Sequence, residues 1–387
     1  MRKIVFSLMI ISLIFSSTWF MLSMSYVKSS TRSKLIFISD PIDPPIEISS
    51  DNDFLLYNFP GLGTEEDPYR LENLNIITSH SYGIIVQNIT KCILIQNNKI
   101  TTSYRCIGIF HTSPGTVIIA NNTCIGPEFE LYQLGIFVGD SPYIKILNNT
   151  CSNFYNGIDI NDSPHSLIEN NVFSKNHAGI RIENRVHYSK IISNLIVNNL
   201  DGMYITNSRE ILFENNIVRN NVVGLLLDST NDEYPSQNCV IRNNLFENNT
   251  SFALVFSGFM GQDFTHENLV YHNSFVNNNP KGDSQAKDGG NNNRWYNESL
   301  KEGNYWSDWG GLLPYDIDGS TNAIDMYPLE TPLHSTLTKI PIFFIGRIIL
   351  VLLGMGIEAI LVICILIFER FKKKRRNLIE SINPNRA

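Results

Sequence analysis

Charged residues are scarce in this chain of 387 residues: Asp, Glu, Lys and Arg together make up 17%. Cysteine is scarcer, with six in total and no Cys-x-x-Cys, so no sequence-local thiolate pair is on offer for a soft metal. No stretch between residues 29 and 341 keeps a helical period of apolar residues, which argues against bundles and helical repeat arrays. Basic residues are few in the same stretch. Residues 1–28 carry +3, residues 369–387 carry +5 and residues 342–368 are neutral, so the overall −7 leaves −15 on residues 29–341. A body that acidic repels phosphate backbones, which removes nucleic acid as a partner.

Asparagine takes the place of charge. The chain holds 46, mostly in Asn-Asn pairs set among regular Ile and Val, and such a pattern reads as a repeat rather than as disorder. A Gly-apolar-x-apolar series runs through Gly83-Ile84-Ile85-Val86, Gly108-Ile109-Phe110-His111, Gly135-Ile136-Phe137-Val138, Gly157-Ile158-Asp159-Ile160, Gly179-Ile180-Arg181-Ile182, Gly202-Met203-Tyr204-Ile205 and Gly224-Leu225-Leu226-Leu227. It ends at Ala253-Leu254-Val255-Phe256, and successive members stand 22 to 29 residues apart. About 13 residues after most of these glycines comes an Asn pair, as at Asn148-Asn149 and Asn170-Asn171. An apolar residue stands before each pair (Ile146, Ile168, Ile191) and another two positions after it (Cys151, Phe173, Ile196).

Short period-2 segments with turns at constant phase describe the coils of a parallel β-helix, each laid about 4.8 Å from the last. Equal phases then stack. The apolar columns fill the bore, the Asn column forms an amide ladder at a corner where asparagine tolerates left-handed backbone, and the glycines mark another corner. Leucine-rich repeats share the length, but their Leu-x-x-Leu-x-Leu pattern is absent. The repeats are assigned to residues 63–276, with a lead-in at 29–62 and a cap at 277–330.

The two ends read as membrane signals. Ile348 to Phe368 gives 21 nearly unbroken apolar residues, long enough to cross a bilayer, followed at once by Lys372, Lys373, Lys374, Arg375 and Arg376. The spacing predicts a transmembrane helix over 342–368 after a linker at 331–341, with the basic tail at 369–387 in the cytoplasm and the repeats outside the cell membrane. Residues 1–28 read as a signal peptide or a retained signal anchor, and both stay open. Glu358, in mid-span, has two readings: helix association, or a protonated passenger of a single span.

The chain resembles the right-handed β-helix proteins of the NosD type, grouped with the carbohydrate-binding and sugar-hydrolase β-helices of the pectin-lyase-like superfamily. The resemblance rests on the coils, on an opening Gly63-Thr64-Glu65-Glu66-Asp67-Pro68-Tyr69-Arg70-Leu71-Glu72-Asn73, and on a closing Gly303-Asn304-Tyr305-Trp306-Ser307-Asp308-Trp309 with Asp316-Ile317-Asp318-Gly319 and Asp325-Met326-Tyr327-Pro328-Leu329. It covers roughly residues 50–330. It implies an all-β, right-handed single-stranded parallel β-helix (solenoid) ectodomain, here of about ten coils, beside the transmembrane α-helix. It implies little about function, because this fold hosts lyases, hydrolases, binders and adhesins.

The middle residue of each Gly-apolar-x-apolar strand points outward, and so does the second residue after it. Three central coils therefore present Asp159, Asn161, Arg181, Glu183, Tyr204 and Thr206 on one face, flanked by Phe110 and Phe137. Aromatic planes beside planar hydrogen-bonding groups suit a sugar, which offers an apolar ring face and a hydroxyl rim. Insertions at 123–134, 229–237 and 257–267 should wall this face. Asp159 and Glu183 differ by one coil and two residues, placing their backbones about 8 Å apart, within the carboxylate spacing of inverting glycosidases. Arg181 beside Asp159 is expected to depress its pKa, which suits a base and not an acid. A sugar-binding face, a catalytic pair and a solvated charge ladder all stay open. Uronate lyases need more cationic residues than one Arg in an acidic body.

Copper is the cofactor that the family's name suggests, and the residues do not supply it: the eight histidines share no phase. His111 falls in the inward column with Val86 and Val138 and reads as a core histidine. Asp316, Asp318 and Asp325 form a fragment of a calcium-type loop, short of the six or more oxygens calcium takes; a capping loop is the alternative. Cys124 and Cys151 share an inward phase in consecutive coils, as a disulfide or as a column of thiols. The expected function is carbohydrate binding by a membrane-anchored, extracytoplasmic protein. A glycoside hydrolase and a structural or adhesive surface protein are the rivals, and oligomerisation stays open.

Overall fold

The structure, a computed structural model, describes residues 41–79, 82–127, 132–230, 233–257 and 265–332. The signal segment 1–28, the apolar span 342–368 with Glu358, and the basic tail 369–387 lie outside the described residues. Among the described residues no helix is long and apolar enough to cross a membrane.

Alternating β-branched residues interrupted every few positions by left-handed turns leave room only for short strands. One coil shows the plan: Asn156–Asn161 runs in the first sheet, Leu167–Glu169 in the second and Val172–Ser174 in the third, before Ala178–Glu183 returns to the first. Every pairing between coils is parallel, giving sheets of ten, nine and ten strands. The first sheet begins with Ile46–Ile48 and ends with Ala286–Asp288; the third ends with Tyr305–Trp306, so the lead-in and the cap both contribute strands. A single turn of helix, Phe54–Tyr57, closes the starting end and buries Phe54.

The strand columns that face the bore are mainly apolar. Ile146 pairs with Ile168 and Ile168 with Ile191, all fully buried, and Cys151, Phe173 and Ile196 form the neighbouring column. Each buried Ile contributes about 2 kcal/mol of transfer free energy. Cys124 and Cys151 are Cα partners with free thiols, and Cys106, which the sequence left unplaced, is buried with a free thiol as well, its Sγ donating to the carbonyl of Ile100 at 3.5 Å.

The Asn pairs divide their labour. The first member adopts left-handed backbone, with φ of 57° at Asn97, Asn121, Asn170 and Asn215. The second turns inward, and each Nδ2 donates to the Oδ1 of the next coil at 2.9–3.1 Å from Asn98 through to Asn304. A second amide ladder, which sequence reading missed, joins Asn176, Asn199, Asn221, Asn249 and Asn278 at the corner between the third and first sheets. Its signal was present in Asn198-Asn199, Asn220-Asn221 and Asn248-Asn249.

These ladders are directional, so their last donors need an acceptor. Asp325 takes the first, accepting from the backbone N–H of Asn304 at 2.7 Å and from Trp306 Nε1 at 2.9 Å. Gln285 takes the second at 3.0 Å and itself donates to Asp308 at 2.7 Å. At the remaining corner Asn268 donates to Asn293 at 3.0 Å and Asn293 to Asp288 at 2.9 Å. Gly303 follows from this arrangement, since a Cβ there would lie 1.8 Å from Asp325 Oδ1. The closing block is therefore a set of ladder terminators.

Candidate functional site

The outward face of the first sheet gathers the polar residues. Strand register places Asp159 between Phe137 and Arg181, then Tyr204 and Leu226 along the same row. The second outward row runs Phe110, Gly139, Asn161, Glu183, Thr206 and Asp228. All eight residues expected on this face are on it.

One alignment needed correction. Gly108 does not occupy the phase of Gly83; it pairs with Ile85 and Phe137, and Cys106 takes the corner instead. Two of the extra residues of this coil fall in the turn 111–116, after the strand and not before it, and the rest fall after Ile125, so the strand slips by two positions relative to the sequence reading. His111 consequently leaves the bore: it has φ of 48°, its side chain is 61% exposed, and Nδ1 lies 3.5 Å from Asp140. Gly108 has a different task. A Cβ there would stand 2.5 Å from the Tyr82 ring and 3.0 Å from that of Phe110, so its absence lets the two rings meet edge to face over it, with centroids 6.0 Å apart. Phe110 and Phe137 then pack with centroids 5.0 Å apart.

Arg105, unnoticed in the sequence, covers this aromatic shelf, with its guanidinium 5.0 Å from the Tyr104 ring and 5.2 Å from that of Phe137. Asn156 and Asp201 also escaped notice. They occupy the position just before the repeat glycine, a constant phase that the sequence reading did not follow outward.

Electrostatics at Asp159 oppose the expectation. Burial pushes the carboxyl up to about 6, outweighing the downward pull of Asn156 and then Arg181. Only 9% of Asp159 is exposed, and Asn156 Nδ2 donates to it at 2.8 Å. Arg181 turns to Glu183 instead, with Nη2 to Oε1 at 2.5 Å, and stacks its guanidinium over Tyr204 at 5.5 Å. Desolvation therefore wins, because the nearby cation already has a carboxylate. The face thus holds a carboxyl suited to give a proton and a carboxylate held by an ion pair. Asp159 and Glu183 are diagonal neighbours, one coil and two residues apart.

Nine buried side-chain polar atoms among the described residues lack a hydrogen-bond partner, and five lie on this face: Arg105 Nε, Asn156 Oδ1, Asn161 Oδ1, Arg181 Nε and Thr206 Oγ1. Each such group costs about 1–3 kcal/mol when left unmade, so their concentration marks a surface adapted to something other than its own stability. The chain insertions sit at both edges of this sheet: between Ile125 and Leu134 on one side, after Asp228 and after Phe256 on the other. Their tips, 128–131, 231–232 and 258–264, lie outside the described residues.

The family model for the periplasmic copper-binding protein NosD matches residues 67–262 and 121–311, together well over half the chain. The chain belongs to the NosD family. No curated protein is similar enough to this chain to count as a match. Among solved structures, the Dettilon tailspike protein is similar at 12% identity and a TM-score of 0.46, over 69% of this chain and 60% of the tailspike. This NosD-family chain thus spans about 60% of that protein's length. The A-module of the Azotobacter vinelandii mannuronan C-5 epimerase AlgE6 is similar at 11% identity and a TM-score of 0.36, over 75% of this chain and 80% of that one.

The described residues do not fit copper. No three of their His, Cys, Asp or Glu side chains gather as metal donors. Among the described histidines, His165 is stacked between Tyr143 and Tyr188, His187 Nδ1 accepts from the N–H of Arg209, and His272 meets Glu302. The calcium-type reading of Asp316, Asp318 and Asp325 is corrected in the same way. Asp316 faces solvent, whereas Asp325 is turned inward beneath Trp306 as a ladder terminator, and burial raises its carboxyl to about 6.

Proposed function

We propose that this NosD-family protein binds polymeric or surface carbohydrate on the outward face of its first sheet, between the Phe110–Phe137 shelf and Tyr204. The observation that carries the reading is the cluster of five unpartnered polar atoms beside an aromatic shelf. Sugar hydroxyls give and accept hydrogen bonds at once and can meet amide, hydroxyl and guanidinium groups, while the ring's apolar face lies on an aromatic. In this reading residues 342–368 anchor the protein in the cell membrane with the solenoid outside, which the apolar run and its basic stop support.

A glycan array probed with the whole protein, alongside Arg181→Ala and Tyr204→Ala, tests the binding face. Binding lost in both variants supports it, and binding unaltered in both discards it. A blank array favours a structural or adhesive surface protein. One observation favours a second reading, hydrolysis: Asp159 is raised to about 6, as a proton donor to a leaving oxygen requires, while Glu183 would act as base. Sugar release from bound glycans, abolished in Asp159→Asn, separates hydrolysis from binding alone.

A further inference from the structure

Along the row just before the repeat glycines, Asn156, Ala178 and Asp201 are partners in three successive coils. A lone methyl thus stands between an amide and a carboxyl, which makes a notch floored by Ala178, itself 3% exposed. Asn156 and Asp159 form one wall and Asp201 and Tyr204 the other. Arg181, the partner of both Asp159 and Tyr204, runs along the flank.

The notch has a definite hydrogen-bonding sense. Asn156 is 2% exposed; its Nδ2 is committed to Asp159, and its Oδ1 is buried without a partner, so it calls for a donor. Arg181 has its Nη2 on Glu183 and its Nε–H buried without a partner, so it calls for an acceptor. Asp201 is half-buried near His177 and adds a further acceptor. Donor, acceptor and methyl-sized floor are together the complement of a methyl-capped secondary amide. An anionic substituent fits badly, since it would face Asp159, Glu183 and Asp201.

We propose that the notch over Ala178 seats the acetamido group of an N-acetylated amino sugar. Its methyl rests on Ala178, its carbonyl accepts from Arg181 Nε–H, and its N–H donates to Asn156 Oδ1 or to Asp201. This rests on the carbohydrate reading above and narrows it to one class of sugar.

The test uses matched oligosaccharides that share linkage and differ only at the second ring carbon: chitin, chitosan and cellulose oligomers of one length, with N-acetylgalactosamine and galactose oligomers as a second set. Titration of the whole protein should show the acetylated oligomers binding at least about tenfold more tightly than their hydroxyl counterparts. Ala178→Val, which suits a strand but fills the notch, should remove that preference. Asp201→Ala takes away an acceptor without adding bulk and should reduce the preference too, which serves if Ala178→Val melts early. Equal binding of acetylated and hydroxyl oligomers, tighter binding of chitosan, or a preference that survives both variants would overturn the proposal while leaving carbohydrate binding intact. Absence of binding to every oligomer and to the array would overturn the underlying reading instead.

Discussion

Asp325 Oδ2 accepts the backbone N–H of Asn304 at 2.7 Å and ends a line of amides that begins at Asn98, eight coils earlier. Its other oxygen holds the N–H of Tyr327 at 3.1 Å. Removing this acceptor strands several buried donors at once, at about 1–3 kcal/mol each. Asp325→Ala should therefore lower the melting temperature sharply and free the cap. Limited proteolysis, with new cleavage confined to residues 277–330, would register the loss; an unchanged digest would show that the cap does not depend on Asp325.

The ladder interior should be equally sensitive. Asn194 accepts from Asn171 through both its backbone N–H and its Nδ2, and it donates to Asn216 and to the carbonyl of Ile168. Asn194→Ala is expected to cost about 3 kcal/mol, read as a lower midpoint in urea with little change of slope.

Asp159 makes a pH prediction. Its folded value of about 6 lies above the ordinary 3.8, so the native state binds the proton more tightly than the unfolded chain does. The resulting penalty is absent at low pH, grows as pH rises from 3.8 to about 6, and is complete above that. At pH 7 it amounts to about 3 kcal/mol. Asp159→Asn keeps an acceptor for Asn156 and should be the more stable protein at neutral pH, with the difference vanishing near about pH 4. Melting curves of both proteins across that range decide it. A constant difference would mean that Asp159 does not titrate in the fold.

Gly108→Val tests the aromatic shelf. Its side chain would collide with Tyr82 and Phe110 and lift both rings from the sheet. Glycan affinity should fall about tenfold or more, with the coil itself retained in circular dichroism.

Cysteine chemistry gives the last prediction. Cys106, Cys124, Cys151 and Cys239 are wholly buried, and burial pushes the Cys239 thiol up to about 12. Alkylation of the native protein should mark Cys92 and spare these four, whereas alkylation in denaturant without reductant should mark all of them. Two sites left unmarked in denaturant would reveal a Cys124–Cys151 disulfide and contradict the free thiols seen here.

Much of this architecture was legible in the order of residues. Ile146, Ile168 and Ile191 announced a buried column, and Asn148-Asn149 and Asn170-Asn171 a corner, because phase within a coil is a local property that every repeat restates. The face carrying Asp159, Arg181 and Tyr204 followed from the same alternation. The slip at Gly108 did not, since spacing alone cannot say on which side of a strand an insertion falls.

What the residue order determined was which side chains point in and which point out. Only the folded coils decided how the outward ones meet: Arg181 pairs with Glu183 on its own strand rather than with Asp159 on the adjacent coil, Asn156 reaches along its strand to hold Asp159, and Asp325 turns inward under Trp306. The reason is physical. Inward packing depends on alternation and coil pitch, which repeat, whereas pairing and desolvation depend on every neighbour around one group, along its own strand and on the coils to either side.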